Sequence, residues 1–207
     1  MTLRNILFSY FLLSLLPSIV SAEIADASLV EKLRQGGYVI LVRHSLASNI
    51  QRDTDFINLT NCEAQRNLTE AGRNQATAIG KAYRSLNLPT GKIYSSFFCR
   101  CVDTANLAFG KPETLLELSS FMRETDEEQK RRVKELNRLL KTPPEPNTNN
   151  ILVTHSIMLF RASSAKLYEG QAAVFLPLPD GRFQFIDFIA PKRWQRMLET
   201  ITEDDEM

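Results

Sequence analysis

The sequence predicts an α/β fold, a three-layer α/β/α sandwich whose central sheet is mostly parallel. Two short apolar runs, YVILV at 38–42 and ILVT at 151–154, are typical of strands that helices cover on both faces. Helical patterns lie between the predicted strands, and this alternation is typical of parallel sheets. A chain of 207 residues, 43% apolar and 24% charged, suits one globular domain.

The first 22 residues are predicted to be a signal peptide. A basic residue, Arg4, precedes an apolar run from Ile6 to Leu16, and the segment closes on the small residues Ser21 and Ala22. The run is only about half of the roughly 20 residues that a membrane-spanning helix needs, so removal after Ala22 is favoured over a retained anchor. We therefore expect a single mature domain, 23–207, that is periplasmic or secreted and has no membrane anchor.

Helices and strands alternate through the first half of this domain. Apolar side chains recur three or four residues apart in three segments, which predicts helices over 29–33, 76–86 and 102–109. A glycine pair can end the first helix, and Thr69 is a suitable N-cap for the second. KIYSS at 92–96 predicts another strand. The polar, irregular residues 45–67 predict a long loop.

The second half of the domain is predicted to complete the sheet. Residues 114–118 are a candidate strand, and Glu127–Lys141 has the spacing of a charged helix. Within that helix the basic run 130–132 alternates with glutamates, which predicts a solvated face. Residues 172–189 read as two strands joined by a turn, a C-terminal hairpin at the sheet edge. The acidic C-terminus is expected to fray.

The three cysteines predict one disulfide in an exported protein. Export places Cys62, Cys99 and Cys101 in an oxidising compartment, and an odd number allows at most one pair within the chain. Cys99 and Cys101 are too close in sequence for an easy bridge, so Cys62 is expected to pair with one of them. No cysteine or histidine spacing is typical of a zinc site, and no metal or other cofactor is expected.

The charge balance restricts the class of partner. A formal net charge of +1 provides no strong basic field for nucleic acid. Nucleic acid is therefore not an expected partner. The sequence leaves the oligomeric state open.

Three predicted strand ends carry the residues with distinctive chemistry. Arg43 and His44 follow the first strand, Arg100 follows the second, and His155 follows ILVT. Ligands of open α/β sheets bind in the crevice at such strand ends. Taken alone, His44 and Arg100 would more often be structural, and His155 would as often be structural as functional, but both histidines of the chain occupy these positions. We therefore expect one shared pocket.

Residues of these types suit phosphoryl transfer. A neutral imidazole can attack phosphorus and carry a covalent intermediate. Guanidinium groups offer paired donors that match phosphate oxygens, and a second histidine can donate to the same oxygens in the transition state. Because phosphoryl transfer depends mainly on positioning and charge stabilisation, arginines can supply the charge without a metal.

Four segments resemble, in the correct order, motifs of the histidine phosphatase superfamily, also called phosphoglycerate mutase-like. They span most of the mature chain, and they are LVRHS at 41–45, NLTEAGRNQATAIGKAY at 67–83, IYSSFFCRCVDTANLAFG at 93–110 and NILVTHS at 150–156. The resemblance implies that His44 is the phosphorylated nucleophile. It also implies that Arg43, Arg100 and His155 bind the phosphoryl oxygens.

The resemblance is greatest to exported bacterial members of the superfamily, on account of the Cys62 loop, the FFCRC stretch and the N-terminal segment. Some of those relatives act on the phosphorylated sugars of lipopolysaccharide. The implied activity is that of a histidine acid-type phosphatase, a phosphoric monoester hydrolase. Its expected substrate is a small phosphorylated molecule such as a sugar phosphate.

The sequence also departs from the superfamily's pattern. Ser45 and Ser156 stand where glycine is usual. Relatives carry a general acid in the region of LLELSSFMRETDEE, where this chain offers Glu117, Glu124 and Asp126; Glu124 is favoured because it follows a turn. An alternative function is a non-catalytic protein that binds phosphate or a phospho-sugar with the same arginine pocket.

Overall fold

The computed structural model describes residues 16–121 and 123–204, with side chains over 24–121 and 123–201. Two short 3-10 helices, Cys62–Ala64 and Leu116–Leu118, lie in its connections. The helices and strands are, in chain order, α1 Leu16–Gln35, β1 Val39–Arg43, α2 Glu70–Ser85, β2 Thr90–Ser95, α3 Cys99–Ala108, β3 Glu113–Thr114, α4 Asp126–Lys141, β4 Asn149–Thr154, α5 Ser156–Ser163, β5 Ala172–Pro177, β6 Phe183–Ile189 and α6 Pro191–Asp204.

The six strands form one mixed sheet in the order β3-β2-β4-β1-β5-β6. The first four strands of this order are parallel, while β5 and β6 are antiparallel at one edge. The predicted α/β fold with a mostly parallel sheet and a C-terminal edge hairpin is confirmed. In the central β1–β4 pair, Arg43 lies opposite Thr154, so His44 and His155 leave neighbouring strands at the same level.

Alternate residues of β1 belong to two different cores. Ile40 and Val42 pack with α1, α2, α3 and α6, whereas Val39 and Leu41 pack with α4 and α5. All four side chains are buried. Helices therefore cover both faces of the sheet, which explains why the strand is apolar throughout instead of alternating with polar residues.

The start of α2 lies directly against the backbone that follows β1. Thr69 caps this helix as predicted, because its hydroxyl accepts a hydrogen bond from the backbone N–H of Gly72 at 3.0 Å. A Cβ atom at Gly72 would collide with the carbonyl of Leu46. Glycine at this position thus permits close approach of the helix to the segment after His44.

The predicted strand over 114–118 was wrong beyond Thr114. The Leu115 N–H still donates to Ser95, but the Leu118 N–H then donates back to Leu115 and closes a 3-10 turn. This turn buries Leu118 in the layer of α4 and α5. Local turn formation and burial of one leucine replace further pairing with β2.

The two last helices were not anticipated from the sequence. Helix α5 follows β4 immediately, and α6 packs Trp194 and Met197 into the core. Helix α6 continues to Asp204, into the acidic stretch that was expected to fray, while residues 205–207 lie outside the described part.

Helix α1 begins at Leu16, before the predicted cleavage position, and ends at Gln35 before the glycine pair. The contacts with the domain that its described side chains make lie after that position. Asp26, 1% exposed, accepts hydrogen bonds from Arg193 and Arg196 of α6 at 2.7 and 2.8 Å, and Leu33 is buried in the core. Residues 1–15, most of the predicted signal peptide, lie outside the described part. None of the described helices is both long and apolar enough to cross a membrane.

Candidate active site

The carboxyl ends of β1, β2 and β4 bring the predicted pocket residues together. His44 follows β1, His155 follows β4, and Arg100 lies in the first turn of α3 after β2. The two imidazole ring centroids are 5.5 Å apart. The guanidinium of Arg100 lies over the ring of Phe98, whose centroid is 5.1 Å from that of His155.

His44 is held as a neutral ring with one free nitrogen. Its Nδ1 lies 2.8 Å from the carbonyl oxygen of Ser45, and because a carbonyl only accepts, Nδ1 carries the proton. The remaining nitrogen, Nε2, then has a lone pair. The side chain is 2% exposed, and burial, followed by the positive charge of Arg100, holds the pKa of His44 well below its usual value of 6.5.

His155 is positioned by a serine pair. Its Nε2 lies 2.9 Å from the hydroxyl of Ser96, which is itself 3.2 Å from the hydroxyl of Ser119. The backbone N–H of Phe97 also donates to Ser119 at 3.1 Å. Burial and the charge of Arg100 keep the pKa of His155 well below 6.5, so this ring is neutral as well in the absence of substrate.

The depressed histidine pKa values predict a simple titration experiment. With only two histidines in the chain, each ring signal in a two-dimensional NMR spectrum can be followed separately. A lowered pKa means that a ring takes up its second proton only at a more acid pH than a free histidine. Both rings of the substrate-free protein are therefore expected to remain neutral at pH 6.5. A midpoint at or above 6.5 for either ring would contradict the site's electrostatics.

Each pocket arginine is anchored through its terminal nitrogens. Arg43 donates from Nη1 to the carbonyl of Leu167 at 2.9 Å and from Nη2 to Glu169 at 3.2 Å. Arg100 donates from Nη1 and Nη2 to the two carboxylate oxygens of Asp53, at 2.8 and 3.2 Å. These partners come from loops after β1 and α5, so the arginines connect separate parts of the chain.

Three buried polar atoms at the site have no hydrogen-bond partner within the described residues. They are Nε of Arg43, Nε of Arg100 and the hydroxyl of Ser45. Native proteins leave few such atoms, since each costs about 1–3 kcal/mol when it is buried without a partner. Three of them on or beside residues of one pocket indicate a site for an oxygen-rich anion.

Three further residues at the site were not anticipated from the sequence. Asp53 and Glu169 pair with the pocket arginines, and Arg66 donates to Glu169 at 2.8 Å. The Arg66 carbonyl also accepts from Arg100 at 3.2 Å. These residues lie in irregular loops far apart in sequence. No spacing or periodicity relates them, and only the tertiary structure brings them together.

The cysteine pairing is resolved as Cys62 with Cys99, which confirms the predicted disulfide. Cys101 is free and buried, and burial raises the pKa of its thiol to about 12. The disulfide joins the 45–67 loop to α3 one residue before Arg100. Beside it, the backbone N–H of Cys99 donates to the Gln65 side chain at 2.9 Å. The loop and the arginine are therefore fixed to each other.

The disulfide predicts both a thiol count and a loss of stability. Its two cysteines are 37 positions apart, and closing a loop of this size contributes about 4 kcal/mol on the chain-entropy model. The unfolded, non-reduced protein is expected to contain one free thiol, and reduction should lower the free energy of unfolding by roughly that amount. Three free thiols in protein recovered from an oxidising compartment would contradict the pairing.

The favoured general acid, Glu124, pairs with another part of the protein. It lies 3.0 Å from Arg132 of α4, and Glu117 likewise pairs with Arg131. Within the described residues, no hydrogen bond or ion pair joins Glu117, Glu124 or Asp126 to the four pocket residues. The assignment of Glu124 stays a prediction.

The basic run 130–132 does not form a wholly solvated face, and that prediction was wrong for Arg132. This side chain is only 4% exposed. It donates to Glu124, to Glu128 and, at 3.4 Å, to the carbonyl of Ser119. Paired carboxylates and carbonyls allow the charge to be buried, and they hold the turn around Ser119 against α4.

Sequence comparison identifies the family. The family model of the histidine phosphatase superfamily (branch 1) matches residues 39–138, which include Arg43, His44 and Arg100. Residues 39–138, 100 of the 207 residues, carry the sequence pattern of the histidine phosphatase superfamily. The expected family is thus confirmed, and the match supports phosphatase activity in general terms. No curated protein matches the chain in sequence.

Several solved structures share the fold of this chain. The protein histidine phosphatase SixA complexed with tungstate has a TM-score of 0.51 at 13% identity, over 75% of this chain and 97% of SixA. A phosphoserine phosphatase from Entamoeba histolytica, in complex with 3-phosphoglyceric acid, has 0.52 at 17%, over 76% and 98%. The ecdysone phosphate phosphatase of Bombyx mori, in complex with tungstate, has 0.52 at 16%, over 75% and 93%. At such identities the likeness establishes the fold alone.

Proposed function

We propose that this protein is an exported phosphomonoesterase of the histidine acid phosphatase type, which forms a phosphohistidine on His44. The observation that best supports this proposal is the environment of the His44 ring. Its Nδ1 is committed to the Ser45 carbonyl, and the pocket contains the unpartnered Nε donors of Arg43 and Arg100. A nucleophile beside buried anion-binding donors is the arrangement that phosphoryl transfer to histidine needs.

The proposed reaction has two steps. In the first, the lone pair of His44 Nε2 attacks phosphorus, the phosphorus–oxygen bond to the leaving group breaks, and a proton-supplying group protonates that oxygen. In the second, water attacks phosphorus and gives a proton to the group that supplied one in the first step. The phosphorus–nitrogen bond breaks, its electron pair returns to Nε2, and inorganic phosphate leaves. Arg43, Arg100 and His155 stabilise the charge on the remaining phosphoryl oxygens in both steps.

The proposed substrate is a small phosphorylated molecule such as a sugar phosphate. Two of the structures with this fold hold tungstate and a third holds 3-phosphoglyceric acid, so tetrahedral oxyanions and a small phosphate ester bind to those proteins. Here, the buried arginine donors provide the corresponding chemistry. No metal is assigned a part in the reaction. Among the described residues, no group of three or more His, Cys, Asp or Glu side chains is arranged to hold one.

Export is proposed on two observations. The N-terminal segment has the composition of a signal peptide, and the disulfide joins the 45–67 loop to the site, a bond that persists in oxidising compartments. Asp26, which pairs with α6, lies after the proposed cleavage position. Removal of the first 22 residues would therefore leave these packing contacts in place.

A non-catalytic phosphate-binding protein is the second candidate function. The pairing of the carboxylates favours this second function. Asp53, Glu169 and Glu124 are each paired with an arginine, and none of them is placed as an evident general acid for the leaving group. Release of phosphate from an activated aryl phosphate by the mature protein separates the two functions. Many turnovers per protein support the enzyme. Stoichiometric phosphate binding without turnover would support the binding protein.

Glu124→Gln tests the proposed general acid. An alkyl phosphate releases a poor leaving group that needs a proton, whereas an activated aryl phosphate releases a stable phenolate. If Glu124 supplies this proton, the variant should lose about 10²–10⁴-fold in kcat on alkyl phosphates and little on aryl phosphates. Glu117→Gln is the matched control, because that carboxylate pairs with Arg131 at the surface. Equal activity of wild type and Glu124→Gln on both substrates would exclude Glu124.

A further inference from the structure

The contacts of Arg100 occupy its two terminal nitrogens and leave Nε without a partner in the described structure. Asp53 takes the end edge, since its two oxygens accept from Nη1 and Nη2 at 2.8 and 3.2 Å. The side edge consists of Nε and the second hydrogen of Nη2. Nε is buried and has no partner in the described structure, and the side chain is 5% exposed. A two-donor edge of matching geometry for a phosphate is therefore available.

Contacts with α3 and with its own loop fix the position of the Asp53 carboxylate. The backbone N–H of Arg66 donates to Asp53 Oδ1 at 2.9 Å, while the Arg66 carbonyl accepts from Arg100. The Cys62–Cys99 disulfide then ties this loop to the residue before Arg100. Such a closed set of contacts fixes the carboxylate relative to the guanidinium, as a positioning residue requires.

The same pattern recurs at the other pocket arginine. Arg43 commits Nη1 to the carbonyl of Leu167 and Nη2 to Glu169, and its Nε is likewise buried without a partner. Arg66 connects the two systems, because its side chain donates to Glu169 and its backbone contacts both Asp53 and Arg100. Each arginine is thus held by its terminal nitrogens with Nε left over.

We infer that Asp53 is a positioning residue for the phosphoryl pocket. It holds the end edge of Arg100, so that the Nε edge of this guanidinium binds the phosphoryl oxygens. Glu169 does the same for Arg43. This inference rests on the proposed phosphate pocket and adds two residues to it. The opposite role is a carboxylate that occupies the phosphate-binding edge and competes with substrate. The two roles predict changes of opposite sign when the carboxylate is removed.

The test is the affinity of Asp53→Asn for inorganic phosphate, measured by calorimetry, together with kcat/KM on an aryl phosphate. We expect phosphate to bind at least tenfold more weakly and kcat/KM to fall at least tenfold. Asp103→Asn is the matched control, because it removes a carboxylate of α3 that pairs with Arg73 and not with a pocket arginine. It should change neither value more than twofold. Tighter or unchanged phosphate binding by Asp53→Asn would overturn the inference.

A double-mutant cycle with Arg100→Lys separates positioning from general damage. If Asp53 acts through Arg100, Asp53→Asn should weaken phosphate binding at least tenfold in wild type and less than twofold in the Arg100→Lys protein. Equal losses in both backgrounds would overturn the inference. Asp53→Glu provides a second variant if the asparagine protein is unstable, because it keeps the charge but displaces the guanidinium, and it too should weaken binding.

The outcomes for wild type separate this inference from the proposed function. Phosphate binding without turnover would reject the hydrolase and still permit the full cycle of binding measurements. If wild type bound no phosphate, the pocket and the positioning role would both be overturned.

Discussion

Replacement of His44 by alanine is expected to lower kcat on an aryl phosphate by more than about a hundredfold, as loss of a nucleophile does in other enzymes with a covalent intermediate. The reason is that Nε2 of this ring is the attacking atom, and the hydrogen bond from Nδ1 to the Ser45 carbonyl fixes the orientation of the ring. The arginines and their anchoring carboxylates remain. Inorganic phosphate should therefore still bind within about tenfold of its wild-type affinity, a change of about 1.4 kcal/mol.

The melting temperature of the His44→Ala protein is measured as a control, to show that the loss of activity is not caused by unfolding. His44 is only 2% exposed, so alanine leaves a small cavity. Activity must be measured well below the variant's unfolding transition, with phosphate binding as evidence of an intact pocket. A variant that binds phosphate and keeps more than a tenth of wild-type turnover would reject covalent catalysis by His44.

Replacement of Arg100 by lysine is expected to cost about a hundredfold or more in kcat/KM, a loss comparable with removal of one preorganised oxyanion donor. Lysine keeps the charge, but its single ammonium cannot bind Asp53 with one edge and a phosphoryl group with another. The loss should appear in kcat as well as in KM, because the transition state concentrates charge on the same oxygens.

Arg73→Lys is the matched control for this substitution. Arg73 pairs with Asp103 on the surface, where the exact donor geometry contributes little. This variant should retain wild-type kcat/KM within about twofold, since surface pairs contribute at most about 1 kcal/mol. If Arg100→Lys behaved like Arg73→Lys, charge alone would account for the role of Arg100, and the edge-specific geometry would be wrong.

That the site's four central residues lie together could be predicted from the sequence, because each lies at or just after the end of a predicted strand. An apolar strand is detectable from a few residues, and a parallel sheet places the carboxyl ends of its strands at one edge. Arg43, His44 and His155 could therefore be placed together before any coordinates were known. The register of β1 against β4 shows why, since it sets the two histidines side by side.

The residues that anchor the arginines could not be predicted in this way. Asp53 and Arg66 lie in an irregular loop, and Glu169 lies in another, so no periodicity determines where their side chains point. The burial of charged side chains was equally hard to predict from the sequence. Arg132 reads as a surface residue between glutamates, yet tertiary contacts with carbonyl oxygens bury it. Both failures concern polar interactions between segments that are distant in sequence.

Trapping the phosphorylated protein tests the proposed role of His44 as the nucleophile. Wild type is mixed with a radiolabelled substrate, denatured rapidly in alkali, and digested for mass spectrometry. Phosphohistidine is expected on His44, stable in alkali and lost in acid, and absent from the His44→Ala protein. An active wild type that carries no label on His44 within its turnover time, or that carries it on another residue, would contradict the proposed mechanism.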